Sequence, residues 1–280
     1  MLEIRDLTKV FVSDNNIDKK IALDKINLTI NDGEFVTVIG GNGSGKSTLM
    51  NIISGSILPD EGQIYLDGEL ITKLSEHKRA KFLGRVFQDP NMGTATNMSL
   101  LENLELAYRR GEKRTLKWGF KKEHEKIFKE KLQKLDLGLE NNLNKKIGLF
   151  SGGQRQAITL LMATFMTPKL LLLDEHTAAL DPKTATKVLK ITNEVVTENN
   201  ITTIMITHNM KDAIKYGNRL IMFNNGHIVF DISGEEKQQL KVQDLLEKFE
   251  QFQEDICWKT RWDRYFKVYN FIFANKLIMW

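Results

Sequence analysis

The chain has 280 residues, with 40 Lys and Arg against 36 Asp and Glu, a net charge of +4 that is too mild to demand a nucleic-acid partner. That length can bury one large α/β domain with an inserted subdomain, and a single Cys, Cys257, leaves no pair for a disulfide or zinc site, as suits the cytoplasm. No apolar leader opens the chain and no apolar run approaches the ~20 residues that span a bilayer, so any membrane pore it serves is expected to come from other chains.

Met1 to Thr29 alternates as strands do, with an acidic, Asn-rich stretch from Ser13 to Lys20. Glu34 to Ile39 reads as a buried strand. It runs into Gly40-Gly41-Asn42-Gly43-Ser44-Gly45-Lys46-Ser47, followed by Thr48, which fits G-x-x-x-x-G-K-[ST]. Glycines there let backbone N–H groups turn inward around phosphate oxygens, and the helix opening at Lys46 adds its positive end. Lys46 is expected to reach the β and γ phosphates, and the Ser47 hydroxyl a Mg²⁺ ion. A chance match is expected in roughly one chain in a hundred of this length, and the preceding strand makes accident a poorer account still.

Gln63 to Leu70 returns to strand, and Leu74 to Leu83 reads as a short helix. From Asp89 to Phe165 the periodicity becomes helical, best over Met98–Tyr108 and His124–Leu135, with a further helical run from Arg155 to Phe165. Between the first two lies a basic segment, Arg109 to Lys122, with Trp118 and Phe120 in it; it fits a solvated hairpin as well as contact with anionic lipid or a membrane partner. Leu170 to Phe230 alternates strands and helices, including Pro182–Glu198 and the strand Ile201–Ile206.

Leu170-Leu171-Leu172-Leu173 suits a parallel strand covered on both faces, and it ends in Asp174-Glu175. Ligands bind at such ends. Asp174 is placed to hold a Mg²⁺ shell and Glu175 to orient and polarise water. Taken alone, an acidic pair at a strand end also serves as solvation or as a helix cap.

With the loop and the acid pair in place, further segments resemble the ATP-binding cassette (ABC) family, in that family's order. Phe150-Ser151-Gly152-Gly153-Gln154 is similar to its signature, usually LSGGQ; Gln88 in Val86-Phe87-Gln88-Asp89-Pro90 resembles the Q-loop glutamine; Ala179-Leu180-Asp181 resembles the D-loop; and His208 in Thr207-His208-Asn209 resembles the switch histidine. Without the family context His208 reads as an ordinary strand-end residue. Phe11 resembles the aromatic that stacks on adenine, commonly Tyr, though an apolar residue there also fits a core position.

The resemblance spans about residues 2–250 and implies an α/β P-loop NTPase cassette. Residues 1–88 and 166–230 would make its RecA-like core, 89–165 the inserted helical subdomain with the signature, and 251–280 an aromatic extension outside the pattern. It implies ATP and Mg²⁺ as cofactors, with Gly40 through Thr48, Ser151 to Gln154, Asp181 and Phe11 around the nucleotide. Glu175, His208 and Gln88 would serve hydrolysis, and Ser47, Gln88 and Asp174 the metal. It further implies a homodimer or a paired cassette subunit, because the signature of one chain meets the γ-phosphate on the loop of another.

A peripheral position at the cytoplasmic face of the membrane follows, with an integral permease as partner and no nucleic acid. Within the family, stretches such as Gly84 to Pro90, Ala107 to Gly111 and Asp174 to Lys183 resemble ATP-binding subunits of bacterial importers assigned to tryptophan and tyrosine. An extracytoplasmic solute-binding protein is then an indirect partner. His176 stands where most cassettes have proline. An exporter, or a soluble ABC ATPase acting on chromosomes or ribosomes, is the competing expectation.

Overall fold

The structure is a computed structural model that describes residues 1–12, 19–111 and 122–251. Most of the stretch from Ser13 to Lys20, most of the basic segment and the aromatic tail after Gln251 lie outside these residues. In chain order come β1 (Leu2–Val12), β2 (Lys19–Ile30), β3 (Phe35–Gly40), α1 (Lys46–Ser54), β4 (Glu61–Leu66), β5 (Glu69–Leu70), α2 (Glu76–Arg79) and β6 (Leu83–Val86). Then follow α3 (Leu100–Tyr108), α4 (Lys122–Gln133), α5 (Gly152–Thr164), β7 (Leu170–Asp174), α6 (Pro182–Glu198), β8 (Thr203–Ile206), α7 (Met210–Lys215), β9 (Arg219–Asn224), β10 (His227–Ser233) and α8 (Gly234–Gln239). Met1–Lys237 is one compact unit; a second begins at Gln238, and residues 242–251 of it are helical.

Among the described residues the strands form two sheets. One is antiparallel, ordered β2-β1-β4-β5; the other is ordered β10-β9-β3-β8-β7-β6, parallel from β9 to β6, with β10 antiparallel at its edge. The leucine run explains itself in this sheet. Leu171 and Leu173 pack with the helices α3 to α6, whereas Leu170 and Leu172 pack toward α1 and the antiparallel sheet, so both faces are apolar and alternation vanishes. Each such side chain, fully buried, contributes about 2 kcal/mol of transfer free energy.

Because β3, β8, β7 and β6 are neighbours and parallel, their C-terminal ends share one edge of the sheet. Gly40, the segment after Ile206, Asp174 and the segment after Val86 therefore emerge side by side, with strand spacings of about 5 Å.

Two element expectations need correction. The helix read over Leu74–Leu83 is only Glu76–Arg79, and Leu83 already pairs with Leu170 in β6. The cause is Arg79, which is fully buried and donates to four carbonyls: those of Ile52 and Ile53 (both 2.7 Å), Thr72 (2.7 Å) and Leu74 (2.9 Å). That tertiary anchor, not an amphipathic face, fixes this segment. Likewise Gly152, not Arg155, opens the α5 helix, because Ser151 caps it.

Candidate active site

The glycine-rich loop joins β3 to α1. Gly40, Gly43 and Gly45 have φ of 153°, 75° and 109°, and a Cβ on Gly40 would lie 2.3 Å from the Phe223 carbonyl oxygen, one on Gly45 2.4 Å from that of Ala22. No side chain caps α1, so its first N–H groups face outward, open to an anion. Lys46 is only 5% exposed, and its ammonium donates to the Gly40 and Gly41 carbonyls, both at 2.9 Å. Burial pulls its pKa below the ordinary lysine range, while the carboxylates of Glu175 and Asp174 pull it back up. The loop lysine and the acid pair thus lie within electrostatic reach of one another.

A groove of about 240 Å³ runs along this loop, lined by Phe11, Lys20, Ala22 and the residues from Gly43 to Thr48. Phe11 and Lys20 are partners across the β1–β2 ladder, which brings both beside the loop. Phe11 is 41% exposed, which sets aside a core position for it, and Lys9 Nζ lies over its ring, 5.6 Å from the centre. Lys20 was not singled out by sequence; it becomes visible only once β1 and β2 are paired.

At the end of β7, Asp174 accepts from Arg85 Nη2 at 3.3 Å, and Glu175 turns into left-handed backbone with φ of 47°. For a residue with a Cβ that conformation costs on the order of 1 kcal/mol. The turn is held by the Glu175 N–H donating to the Ile206 carbonyl (3.1 Å) and by the Ala178 N–H donating back to Glu175 (2.9 Å). His208, just past β8, meets the Glu175 carboxylate with Nε2 at 2.6 Å from Oε1. Gln88 and Asp174 line one groove of about 580 Å³. Gln88 also lines a second, of about 340 Å³, together with Gly152, His176 and Leu180.

Ser151 and Gln154 are occupied by each other: Ser151 Oγ accepts from the Gln154 N–H, and the Gln154 side chain accepts from the Ser151 N–H. Gly153 has a packing reason, since a Cβ there would come within 2.0 Å of the Thr184 methyl on α6. Asp181 caps α6, accepting from the Thr184 N–H at 3.1 Å, with Pro182 at the first helical position. Asn42 and Gly41 lie on the loop itself. None of Ser151, Gly152, Gly153, Gln154 or Asp181 lines the groove along the glycine loop of the same chain.

The family model described as ABC transporter matches residues 23–178, a span that carries the glycine loop, Gln88, the signature and the acid pair. The chain belongs to the ABC transporter family. It is the ATP-binding, ATP-hydrolysing subunit type of that family. A "Tyrosine transport ATP-binding protein" of Clostridioides difficile (strain R20291) is 47% identical over 250 residues, covering 89% of this chain and 99% of that protein. An ABC transporter ATP-binding protein of Bacillus subtilis (strain 168) is 35% identical, covering 88% and 92%. Among solved structures, a dimeric ATP-binding cassette in a post-hydrolysis state with ADP and phosphate matches with a TM-score of 0.71 at 30% identity, covering 83% of this chain and 98% of that one. A nucleotide-free cassette matches at 0.69 and 28% identity, covering 85% and 92%. Among the described residues, no helix is long and apolar enough to cross a membrane.

His176 gives this ABC cassette an unusual buried neighbour for Glu175. Its Nε2 lies 3.1 Å from Thr192 Oγ1, and that hydroxyl donates to the Val188 carbonyl at 2.9 Å, so the ring nitrogen is the donor. Burial lowers its pKa to about 4. Above pH 6.5 both folded and unfolded chains hold it neutral and its full contribution is present. As pH falls the unfolded chain takes up the proton first, so stability drops by about 3 kcal/mol by pH 4. Urea midpoints measured between pH 7.5 and 4 should therefore fall more steeply for the parent than for His176→Gln; parallel curves would exonerate this histidine.

Proposed function

We propose that this chain hydrolyses ATP in a site shared by two cassettes and drives a separate permease that imports an aromatic amino acid, tyrosine or tryptophan. The observation that carries the substrate is the 47% identity, over nearly the whole length of both proteins, with a subunit named for tyrosine transport. The two-chain site has two supports. The loop groove of about 240 Å³ lies below the ~300 Å³ at which enclosed ligand pockets begin, and the signature residues sit away from it. A second copy bringing Ser151 to Gln154 would cover the open side, as the dimeric form of the solved relative suggests. The domain is read as 1–250, with residues 89–165 as the helical subdomain facing the permease at the cytoplasmic membrane surface. An extracytoplasmic solute-binding protein would deliver the cargo.

The donors fit Mg²⁺. Ser47, on the glycine-loop groove, and Gln88 and Asp174, on the neighbouring one, offer hard oxygens with one carboxylate, a set that suits Mg²⁺ with phosphate and water as its further ligands. When bound, it would supply positive charge that offsets the negative charge developing on the phosphates.

In this reading Lys46 leaves its loop carbonyls for the β and γ phosphates, the loop N–H groups cradle them, and Phe11 stacks on adenine. Glu175 accepts a proton from the attacking water, and His208, whose Nε2 lies 2.6 Å from Glu175 Oε1 without nucleotide, would turn that N–H to the γ-phosphate and free the carboxylate for the water. Asp181 and Gln88 line the shared surface and sense the departing phosphate.

Uptake of labelled tyrosine and tryptophan, with lysine as a control, tests the transport reading in cells whose copy carries a hydrolysis-dead cassette. Loss of aromatic uptake alone is expected. Unchanged uptake would remove the amino-acid reading, and increased accumulation would point to export.

A further inference from the structure

Arg85 lies on β6, three residues before Gln88, and takes no part in the chemistry above. Its neighbour Gly84 faces α5, where an added Cβ would meet the Ala163 carbonyl oxygen at 2.7 Å. Arg85 points the other way, beneath α1. Nη2 donates to Asn51 Oδ1 at 2.7 Å and to Asp174 Oδ2 at 3.3 Å, and Nη1 donates to Ser54 Oγ at 2.9 Å. The guanidinium carbon lies 4.6 Å from the centre of the Phe87 ring, and Nε is buried without a partner. A planar fork, seated on a ring and tied to α1, has little freedom to swing.

We propose that Arg85 is a positioning residue for the metal that accompanies ATP: it pins Asp174 through Oδ2, leaves Oδ1 for the ion, and links that carboxylate through Phe87 to Gln88. The inference rests on reading Asp174 as a metal ligand. Two effects oppose each other here. A cation beside the carboxylate repels the metal, whereas a fixed carboxylate need not be ordered when the metal arrives. The contact with Asp174 is long, and the guanidinium's shorter bonds go to Asn51 and Ser54, so its pull on Asp174 is weaker than that of a close bidentate pair. With its own position fixed by Asn51 and Ser54, the guanidinium biases the direction of Asp174 more than it neutralises its charge. Hydrogen-bond partners of metal-ligating side chains typically change metal affinity or activity by about 10- to 100-fold when removed.

The test uses Mn²⁺ as the probe, with the full chain and a non-hydrolysable ATP analogue, reading free Mn²⁺ by electron paramagnetic resonance. Arg85→Met should weaken Mn²⁺ binding about tenfold, with analogue binding in EDTA unchanged. Unchanged or tighter Mn²⁺ binding overturns the inference, and so does an equal loss of analogue binding in EDTA, which marks a packing role. Where that variant fails to fold, Arg85→Lys carries the test: its single ammonium cannot serve Asp174, Asn51 and Ser54 together, and at least a threefold weakening is expected. Asp174→Asn separates the two readings. If Asp174→Asn weakens Mn²⁺ and the Arg85 variants do not, only Arg85's role fails; if Asp174→Asn binds like the parent, Asp174 is no ligand.

Discussion

Glu175→Gln is expected to lower ATP turnover about 10²- to 10⁴-fold while nucleotide binding stays intact. The substitution keeps the shape and the left-handed turn that the backbone bonds of Glu175 to Ile206 and Ala178 already hold. It removes the carboxylate that we propose accepts the water's proton, and with it the charge that His208 contacts. Because the amide cannot complete hydrolysis, a two-chain complex closed on ATP should accumulate. Size-exclusion chromatography with ATP and the variant would show it as a dimer. A variant that stays monomeric at saturating ATP contradicts the shared site; one that turns over at the parent's rate contradicts the role of Glu175.

Lys46→Ala should instead act on binding itself. The ammonium is buried, holds two loop carbonyls, and feels both carboxylates of the acid pair. Exchanging those carbonyls for phosphate oxygens makes charge-assisted bonds worth about 1.5–3 kcal/mol each. Losing them should weaken ATP binding about a hundredfold, equivalent to about 3 kcal/mol. The Gly40 and Gly41 carbonyls also lose their partner, so the empty loop becomes less ordered. Titration of a fluorescent ATP analogue decides: an affinity within threefold of the parent would mean that Lys46 does not touch the nucleotide.

The glycine loop and the acid pair were legible because phosphate chemistry acts on contiguous backbone. Gly40, Gly43 and Gly45 are required by φ and by carbonyls at about 2.3–2.4 Å from any added Cβ at Gly40 and Gly45, a constraint that is written locally. The leucine run was legible for the same reason, as burial on both faces leaves no alternation to hide. Arg85 and Lys20 were not: Arg85 meets Asp174 through the pairing of β6 with β7 and Asn51 and Ser54 through the packing of α1, and Lys20 meets Phe11 through the pairing of β1 with β2. Nor was the short α2, whose end is set by Arg79 reaching carbonyls as many as 27 positions away. The family resemblance puts Ser151 and Gln154 beside the nucleotide, yet in this conformation they satisfy each other. A capping box and an anion site draw on the same N–H groups, and only geometry tells which is in use.

The order of the parallel sheet carries a mechanical consequence. Gly40 and Asp174 leave strands clamped on both sides, whereas β6, among the described strands, has a neighbour on one side only. Its four residues form the rim of the sheet, and Gln88 hangs from that rim. Displacing this outer ribbon breaks one ladder, with β7, and leaves those between β7, β8, β3 and β9 intact.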